Sequence, residues 1–249
     1  MSEELFVFSY DDDKDALNTL ATYYQITTEK IYSKMESLQQ LYEEFKVTKN
    51  ENIFLYMICV RLNATPLKIE NEKFKIYFYH RTGSDCTKEW FAKGLLNSRE
   101  GISSFVSNIE RLYPDLNIKP YEDAMLAHDL PKHQFEVVGP FAFLRKKDAI
   151  ENTFQRSFLN LPEIFFDVSY NDDIYEIVLN LLHPTLVKFW VHKDTVYFDS
   201  YLIDYWCSLL GNYEIGVDAG RGKNIPCENI VEIIKLPKYI DTDSLVHRI

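Results

Sequence analysis

The sequence predicts an α+β protein, in which a helical N-terminal region precedes strands that alternate with helices. Two observations support this class. Apolar residues in the first 50 positions recur every three or four residues, which is the period of an amphipathic helix. From residue 74 onward, short runs of β-branched and aromatic residues are separated by helical patterns and by Gly or Pro. We therefore predict an N-terminal helical region, residues 1–70, and a second region that contains the sheet, residues 71–249.

The N-terminal region contains the clearest helical periodicity. Ile31, Met35 and Leu38 fall on one face of a helix, because they are spaced by four and three residues. Residues 53–60 are apolar throughout, so their pattern fits a buried helix and a buried strand equally well. Asn50 precedes this run and is a favourable N-cap residue, which leads us to predict a helix there.

The first predicted strand is residues 74–80, a run of aromatic and β-branched residues that alternate with polar ones. The strand leads into the polar side chains of His80, Arg81 and Thr82, and Gly83 follows. Binding sites are often built from a few convergent polar groups at such strand ends. This corner is therefore the first candidate for a functional site.

Helices and strands are predicted to alternate through the rest of the chain. A short helix is expected to end at Gly94, and Ile102, Phe105 and Ile109 share one face of the next helix. Two further helices are predicted at residues 146–151 and 201–210. Further strands are predicted at residues 135–144, 164–168, 186–190, 195–198, 213–217 and 229–234. A hairpin is expected to join 186–190 to 195–198, and a glycine-rich hairpin turn, residues 218–223, is expected between the last two strands.

The charge balance argues against one class of function. The chain has 27 Lys and Arg residues against 38 Asp and Glu residues, a formal net charge of −11. A protein that holds nucleic acid by bulk electrostatics needs clustered basic residues to neutralise phosphates. We therefore predict no strong electrostatic attraction to nucleic acid.

Other patterns favour a reduced, cytoplasmic protein without a metal centre. Cys59, Cys86, Cys207 and Cys227 are far apart and form no Cys-x-x-Cys pair, so the sequence indicates neither a zinc site nor a disulfide framework. The acidic N-terminus lacks the pattern of a signal peptide. The longest apolar run, residues 53–60, is shorter than the roughly 20 residues that cross a bilayer, so no membrane contact is predicted.

Three pieces of the sequence occur in an order that points to a known family. They are Tyr-His-Arg-Thr at 79–82 with Gly-Leu at 94–95; Gly-Pro-Phe at 139–141 with Asp-Ala at 148–149; and Tyr-Glu-Ile-Gly-Val at 213–217 with Ile-Pro-Cys-Glu-Asn-Ile at 225–230. Together they resemble the mono-ADP-ribosyltransferase-like fold, an NAD-binding family with a split, mainly antiparallel β-sheet. The resemblance covers residues 74–236 and leaves the N-terminal 70 residues unexplained.

The resemblance implies a site for NAD, which is consumed as a substrate. His80 would bind a ribose hydroxyl, while Thr82 and the backbone of residues 81–83 would hold the nicotinamide amide. Phe141 stands where the family usually has a tyrosine that stacks on nicotinamide. Glu214 would be the catalytic carboxylate. A carboxylate in a water-poor site suits this chemistry, because breaking an N-glycosidic bond develops positive charge on the ribose.

The departures from the family pattern leave alternatives open. Phe141 keeps the aromatic ring but lacks the tyrosine hydroxyl, and Asn212 stands where related toxins often carry an acidic or amide partner of the catalytic Glu. Arginine is therefore not expected as the acceptor. Glu228 is a rival to Glu214 as the acid. The acceptor is an unidentified protein or nucleic acid, and a toxin or defence role is compatible with the resemblance. The alternatives are a catalytically inactive binding or regulatory module and an NAD-dependent RNA 2′-phosphotransferase-like enzyme.

Overall fold

The computed structural model describes residues 6–68, 73–134, 139–151, 160–170, 172–192, 198–211 and 216–238. This part combines helices with a sheet, which confirms the predicted α+β class. The helices are α1 (Asp13–Tyr23), α2 (Thr28–Tyr32), α3 (Met35–Thr48), α4 (Glu51–Leu62), α5 (Ser98–Leu112), α6 (Lys119–Gln134), α7 (Lys146–Glu151), α8 (Glu163–Ser169), α9 (Asp173–Leu181) and α10 (Phe198–Gly211). The strands are β1 (Phe6–Phe8), β2 (Phe74–Ser84), β3 (Phe141–Phe143), β4 (His183–His192), β5 (Gly216–Asp218) and β6 (Ile230–Lys235).

The strands form one six-stranded sheet in the order β5-β3-β2-β4-β6, and β1 pairs with β2 in parallel. Strands β4 and β6 are antiparallel, with Val187 opposite Ile233. The long central strand β2 therefore has β3 on one side and β4 on the other, which puts the polar end of β2 beside β3. The finer expectation, a split sheet of ADP-ribosyltransferase type, stays a prediction.

The chain divides into two compact units, each built from three separate segments. Unit 1 consists of Met1–Phe78, Phe143–Asp148 and Trp190–Gly216, and unit 2 consists of Tyr79–Ala142, Ala149–Phe189 and Val217–Ile249. Strands β2 and β4 pass from one unit into the other. The two sequential domains predicted above stay a prediction.

Unit 1 has an aromatic core built on β1, the start of β2 and α10. The ring of Phe8 stacks on Phe74 at a centroid distance of 5.4 Å and meets Tyr205 edge to face at 4.9 Å. Trp206 is fully buried, and its indole N–H donates to the hydroxyl of Tyr24 at 3.3 Å. These large rings bury much apolar surface, and this burial holds α10 in the core of the unit.

Helix α4 confirms the helical prediction for the apolar run 53–60. The side chain of Asn50 accepts a hydrogen bond from the amide of Ile53 at 3.1 Å, as expected of an N-cap. Phe54, Ile58 and Leu62 are buried, so the helix is anchored by residues spaced four apart.

Unit 2 places a helical layer of α5, α6, α8 and α9 around its own apolar core. Ile102, Phe105 and Ile109 of α5 are all buried, which confirms that they share one helix face. The ring of Phe105 lies 5.2 Å from that of Phe165 in α8. The core of this unit is thus a contact between helices.

Residues 164–168 were predicted as a strand, and this prediction is wrong, because they lie in helix α8. Phe165 and Ser169 are buried at a spacing of four residues, which is a helical pattern. A short apolar run does not identify its own period. The packing of residues 164–168 against α5 stabilises the helical conformation.

Strand β1 is the second difference, since its residues were expected to be helical. Phe6, Val7 and Phe8 pair with residues 74–76 of β2, and this partner is distant in sequence. Residues 9–50 otherwise contain α1, α2 and α3, which confirms that this stretch is helical. Ile31 lies in α2, however, while Met35 and Leu38 lie in α3, so the prediction that they share one helix is wrong.

The helix expected to end at Gly94 is replaced by turns over residues 88–93. Gly94 has a φ of +86°, and a Cβ atom there would overlap the carbonyl oxygen of Ile225. The glycine is required by this close approach rather than by a helix end.

Of the predicted hairpin between 186–190 and 195–198, residues 186–190 lie in β4, residues 193–197 lie outside the described residues, and Phe198 begins α10. The second predicted hairpin, between the last two strands, does not form. Residues 218–223 do form a turn, but β5 and β6 lie at opposite ends of the sheet order and do not pair. Turn residues predict a change of direction and do not identify the partner of the next strand.

The remaining predictions agree with the structure where it describes them. Strand 74–80 lies in β2, strand 229–234 matches β6, and helices 146–151 and 201–210 match α7 and α10. Of the predicted strand 135–144, residues 141–143 form β3, and residues 135–138 lie outside the described residues. Residues 213–215 likewise lie outside them, and β5 begins at Gly216.

Candidate functional site

His80 lies on β2 beside the first residue of β3. Its Nδ1 atom is 2.6 Å from the carbonyl oxygen of Phe141. A carbonyl oxygen only accepts hydrogen bonds, so Nδ1 carries the proton. Burial lowers the pKa of His80 below its ordinary value, while the hydrogen bond to the Phe141 carbonyl raises it in part. The imidazole is therefore neutral at pH 7, and its Nε2 atom is a hydrogen-bond acceptor.

Phe141 is the neighbour of His80 and is unusually exposed for a phenylalanine. The residue retains 47% of its accessible surface, whereas Ala142, the next residue, is buried. An exposed aromatic ring is available for contact with a flat ligand, and the family resemblance implies a stacking role at this position. His80 and Phe141, predicted from separate motifs, are thus in direct contact.

The side chain of Arg81 contacts the end of helix α7. Its Nη1 atom donates to the carbonyl oxygens of Ala149 and Ile150, at 3.1 and 2.7 Å. These carbonyls are at the C-terminal end of the helix, where a cation is favourable. Burial lowers the pKa of Arg81 to about 10, which leaves it charged at pH 7. The guanidinium therefore joins β2 to α7.

Thr82 and Gly83 complete the polar end of β2. Thr82 is half-buried and Gly83 is buried. A Cβ atom at Gly83 would lie only 2.7 Å from the carbonyl oxygen of Asn160, so the backbone of residues 160–161 packs directly on this position. The glycine is needed for this approach. Its predicted contact with nicotinamide stays a prediction.

Glu214, the predicted catalytic carboxylate, lies outside the described residues. Strand β5 begins two residues later, at Gly216, and lies next to β3 in the sheet. Since β3 is next to β2, the backbones of β5 and β2 are separated by two strand spacings, about 10 Å. The rival acid, Glu228, is exposed in a short 3-10 turn before β6, on the other side of β2 in the sheet order.

The turn that follows β5, residues 218–222, is fastened to the residues that precede β3. The amide of Ala219 donates to the Pro140 carbonyl at 3.1 Å, and the amide of Gly222 donates to the Gly139 carbonyl at 3.2 Å. The Asp218 carboxylate accepts from the amide of Gly139 at 3.3 Å. The turn between the two stretches of the third sequence motif is thus hydrogen-bonded to the Gly139–Pro140 segment of the second motif.

The backbone amides of this turn are engaged within the chain. The amides of Ala219, Arg221, Gly222 and Lys223 all donate to groups of the protein, so they are not directed at a ligand such as a phosphate. Sequence reasoning had identified the glycine-rich turn and missed the role of Asp218. An Asp at the start of a glycine-rich turn is the sequence signal that could have predicted its bond to the Arg221 amide, because Asp side chains accept from backbone amides a few residues on.

The first and third motifs also meet. Leu95 and Ile225 form an antiparallel bridge, with N–O distances of 2.9 and 2.7 Å. Next to it, Asn224 accepts from the amide of Asn97 and donates to Glu100, both at 2.8 Å. Within unit 2, described residues of the first piece therefore contact both the second and the third piece, and the turn between the two stretches of the third piece contacts the second.

Two other histidines have partners among ordinary side chains. His183 lies 3.0 Å from the Nζ atom of Lys235, and His128 lies 3.2 Å from Asp167. Among the described residues, no group of three or more His, Cys, Asp or Glu side chains could hold a metal ion. In the same part of the chain, no helix has both the length and the apolar composition needed to cross a membrane.

Comparison of the chain with protein-family models, with curated proteins and with solved structures gave no match.

Proposed function

We propose that this protein is an ADP-ribosyltransferase-like enzyme, which cleaves NAD at the bond between nicotinamide and ribose and transfers ADP-ribose to a macromolecule. The observation that carries the proposal is the convergence of the three motifs in unit 2, centred on the 2.6 Å contact between His80 and Phe141. These residues are 61 positions apart, so their contact does not follow from local sequence. The finer fold assignment, a split sheet of this family's type, belongs to the same proposal.

The chemistry assigns one role to each residue. The neutral Nε2 atom of His80 accepts a hydrogen bond from a ribose hydroxyl. The exposed ring of Phe141 packs against nicotinamide, whose cationic form is attracted to an aromatic face. As the bond from C1′ to the nicotinamide nitrogen breaks, its electron pair leaves with nicotinamide. The carboxylate of Glu214 stabilises the positive charge on the ribose until an acceptor attacks C1′.

The direct test combines NAD titration with an assay of nicotinamide release. We expect Glu214→Gln to lower the rate of release by about a hundredfold or more and to leave NAD affinity within about threefold, because the carboxylate acts on the transition state. Glu228→Gln is the matched control and should keep the wild-type rate. Loss of activity in Glu228→Gln alone would move the acid to that residue. A wild-type chain that neither binds NAD nor releases nicotinamide would refute the proposal.

The second candidate function is a catalytically inactive binding or regulatory module on the same fold, and the phenylalanine at position 141 favours it. Phe141 keeps the ring surface but removes the hydroxyl that the family usually has there. A binding or regulatory module would bind NAD or a related nucleotide in the wild-type chain without releasing nicotinamide. Restoring the hydroxyl with Phe141→Tyr would then leave the absence of turnover unchanged.

The RNA 2′-phosphotransferase alternative is less well supported. That reaction needs several basic side chains in the site, and two of the arginines available for it are engaged elsewhere. Arg81 donates to two carbonyls of α7, and Arg145 forms two hydrogen bonds with Asp148, at 2.7 and 2.6 Å. These interactions account for the positions of both arginine side chains, so no contact with an RNA phosphate is needed to explain them.

A further inference from the structure

The carboxylate of Asp218 makes two contacts that a surface aspartate does not need. Its Oδ1 atom accepts from the amide of Arg221 at 2.6 Å, which closes the turn on itself. Its Oδ2 atom accepts from the amide of Gly139 at 3.3 Å, which reaches across to the chain that leads into β3. Asp218 is half-buried, so these bonds are partly shielded from water. One side chain thus fixes both the shape of the turn and its distance from β3.

The 218–222 turn and the Gly139–Pro140 segment fit closely in addition to these bonds. A Cβ atom at Gly220 would overlap Cδ of Pro140 and would lie 2.9 Å from the carbonyl oxygen of Gly139. No side chain fits at this position without moving the backbone. The turn therefore holds this segment from two sides, through hydrogen bonds and through direct packing.

The consequence reaches His80 through the next residue. Phe141 follows Pro140 directly, and its carbonyl is the group that holds Nδ1 of His80 at 2.6 Å. The same turn ends β5, the strand that begins two residues after Glu214. A shift of the turn would therefore move both the carbonyl that orients His80 and the strand that leads away from Glu214.

We infer that Asp218 is a positioning residue of the proposed NAD site, and that it keeps the Phe141 carbonyl and strand β5 in register with His80. This inference rests on the proposed function for its catalytic consequence. The structural part, the dependence of the His80 imidazole on Asp218, is independent of any ligand. The two parts therefore have separate measurements.

The first measurement uses the free protein and the nitrogen resonances of His80. In the wild-type chain, NMR should show His80 as the neutral form with its proton on Nδ1. We expect Asp218→Ala to shift these resonances toward a mixture of the two neutral forms, because the Phe141 carbonyl moves away. Asn224→Ala is the matched control, since it removes two hydrogen bonds from the same loop, next to Leu95 rather than Phe141. In this control, the nitrogen resonances of His80 should keep their wild-type positions.

A milder variant keeps the test decisive if Asp218→Ala does not fold. Asp218→Asn retains an oxygen for the Arg221 amide and replaces the acceptor of the Gly139 amide with a donor. We expect a smaller shift of the His80 resonances in the same direction. Wild-type resonances of His80 in every folded Asp218 variant would overturn the inference.

The second measurement is nicotinamide release from NAD. We expect both Asp218 variants to lower kcat by about tenfold or more with KM within about threefold, because misplacement of catalytic groups acts on the transition state. Asn224→Ala should change neither constant. An unchanged kcat in an Asp218 variant whose His80 signal has shifted would overturn the catalytic part. A wild-type chain without turnover would refute the proposed function, and the His80 resonances would then decide the positioning role alone.

Discussion

At the scale of single residues, one backbone carbonyl determines what His80 can do. The contact with Phe141 fixes the proton on Nδ1, and burial holds the pKa of the imidazole below its ordinary value. A neutral imidazole with a lone pair on Nε2 binds a hydroxyl group and does not attract an anion. The residue is therefore suited to a sugar hydroxyl rather than to a phosphate.

This state of His80 predicts how NAD binding depends on pH. Affinity should be constant at neutral pH and should fall as the pH drops through the lowered pKa of His80, because protonation removes the acceptor on Nε2. The loss should be about tenfold, the value of one hydrogen bond of roughly 1.5 kcal/mol. Calorimetric titrations of NAD measure this affinity at intervals of about 0.5 pH unit, from about pH 4.5 to about pH 8. This range spans the ordinary histidine pKa of about 6.5.

The control for this pH dependence is His80→Gln, whose side-chain amide does not titrate. It should bind NAD more weakly than the wild-type chain at neutral pH, and its affinity should not change with pH over the same interval. If the wild-type pH dependence persists in His80→Gln, another group is responsible for it.

Arg81 gives a second prediction at this scale. Arg81→Lys should lower the free energy of unfolding by about 1 kcal/mol, because an ammonium group does not reproduce the guanidinium contacts with the Ala149 and Ile150 carbonyls. Urea denaturation of the free protein measures it. Lys88→Ala, a change at an exposed residue in a turn, is the control and should leave the free energy of unfolding within about 0.5 kcal/mol of the wild-type value. Equal midpoints for Arg81→Lys and wild type would show that the contact with α7 adds no stability.

At the scale of elements, close approach of the backbone decides where glycine is required. Gly94 and Gly101 lie seven positions apart in the same unit and differ in their surroundings. Gly94 has a positive φ and faces the Ile225 carbonyl, whereas a Cβ at Gly101, in helix α5, would have its nearest neighbour at 3.8 Å. The two positions therefore respond to alanine in opposite ways.

Gly94→Ala should destabilise the protein by about 2 kcal/mol or more, since it forces apart the Leu95–Ile225 bridge and strains the backbone. Gly101→Ala should stabilise it by about 0.5–1 kcal/mol, because alanine favours a helix interior. Thermal and urea unfolding of the pair measure both effects. Destabilisation by the same amount in both variants would contradict the role given to the Ile225 contact.

At the scale of the whole molecule, a half-buried carboxyl group in α10 links stability to pH. Burial raises the pKa of Asp204 to about 6, and the charge of Glu51 in the first turn of α4 adds to this shift. The folded state therefore binds a proton more tightly than the unfolded chain, where the pKa is about 4. The free energy of unfolding should fall as the pH rises from about 4 to about 6, because the folded state then has to release the Asp204 proton. At neutral pH the carboxylate is ionised and this destabilisation is complete.

Asp204→Asn should remove this destabilisation, because an amide does not ionise. We expect the variant to be more stable than the wild-type chain by about 2 kcal/mol at pH 7.5 and to lose this advantage near pH 4. Asp199→Asn is the control on the same helix, because Asp199 is exposed and should show no such gain. Urea unfolding at both pH values measures the difference, and a gain that is the same at both would contradict the raised pKa.

Two residues of the proposed site, His80 and Phe141, were identified from short motifs. The structure places them in contact because β2 and β3 are neighbours in the sheet. Asp218 was missed because its carboxylate contacts the amide of Gly139, a residue 79 positions away. Glu214 remains a prediction from sequence, since it lies outside the described residues.

The sequence by itself determined the features that depend on near neighbours in the chain. The Asn50 cap of α4, the buried face of α5 and the strands β2 and β6 all follow from patterns within a few residues. Only the tertiary structure decided that residues 163–169 are helical, that Phe6–Phe8 pair with β2, and that the 218–222 turn lies against Gly139. The physical reason is that these features gain their free energy from contacts with distant parts of the chain, which no local pattern encodes.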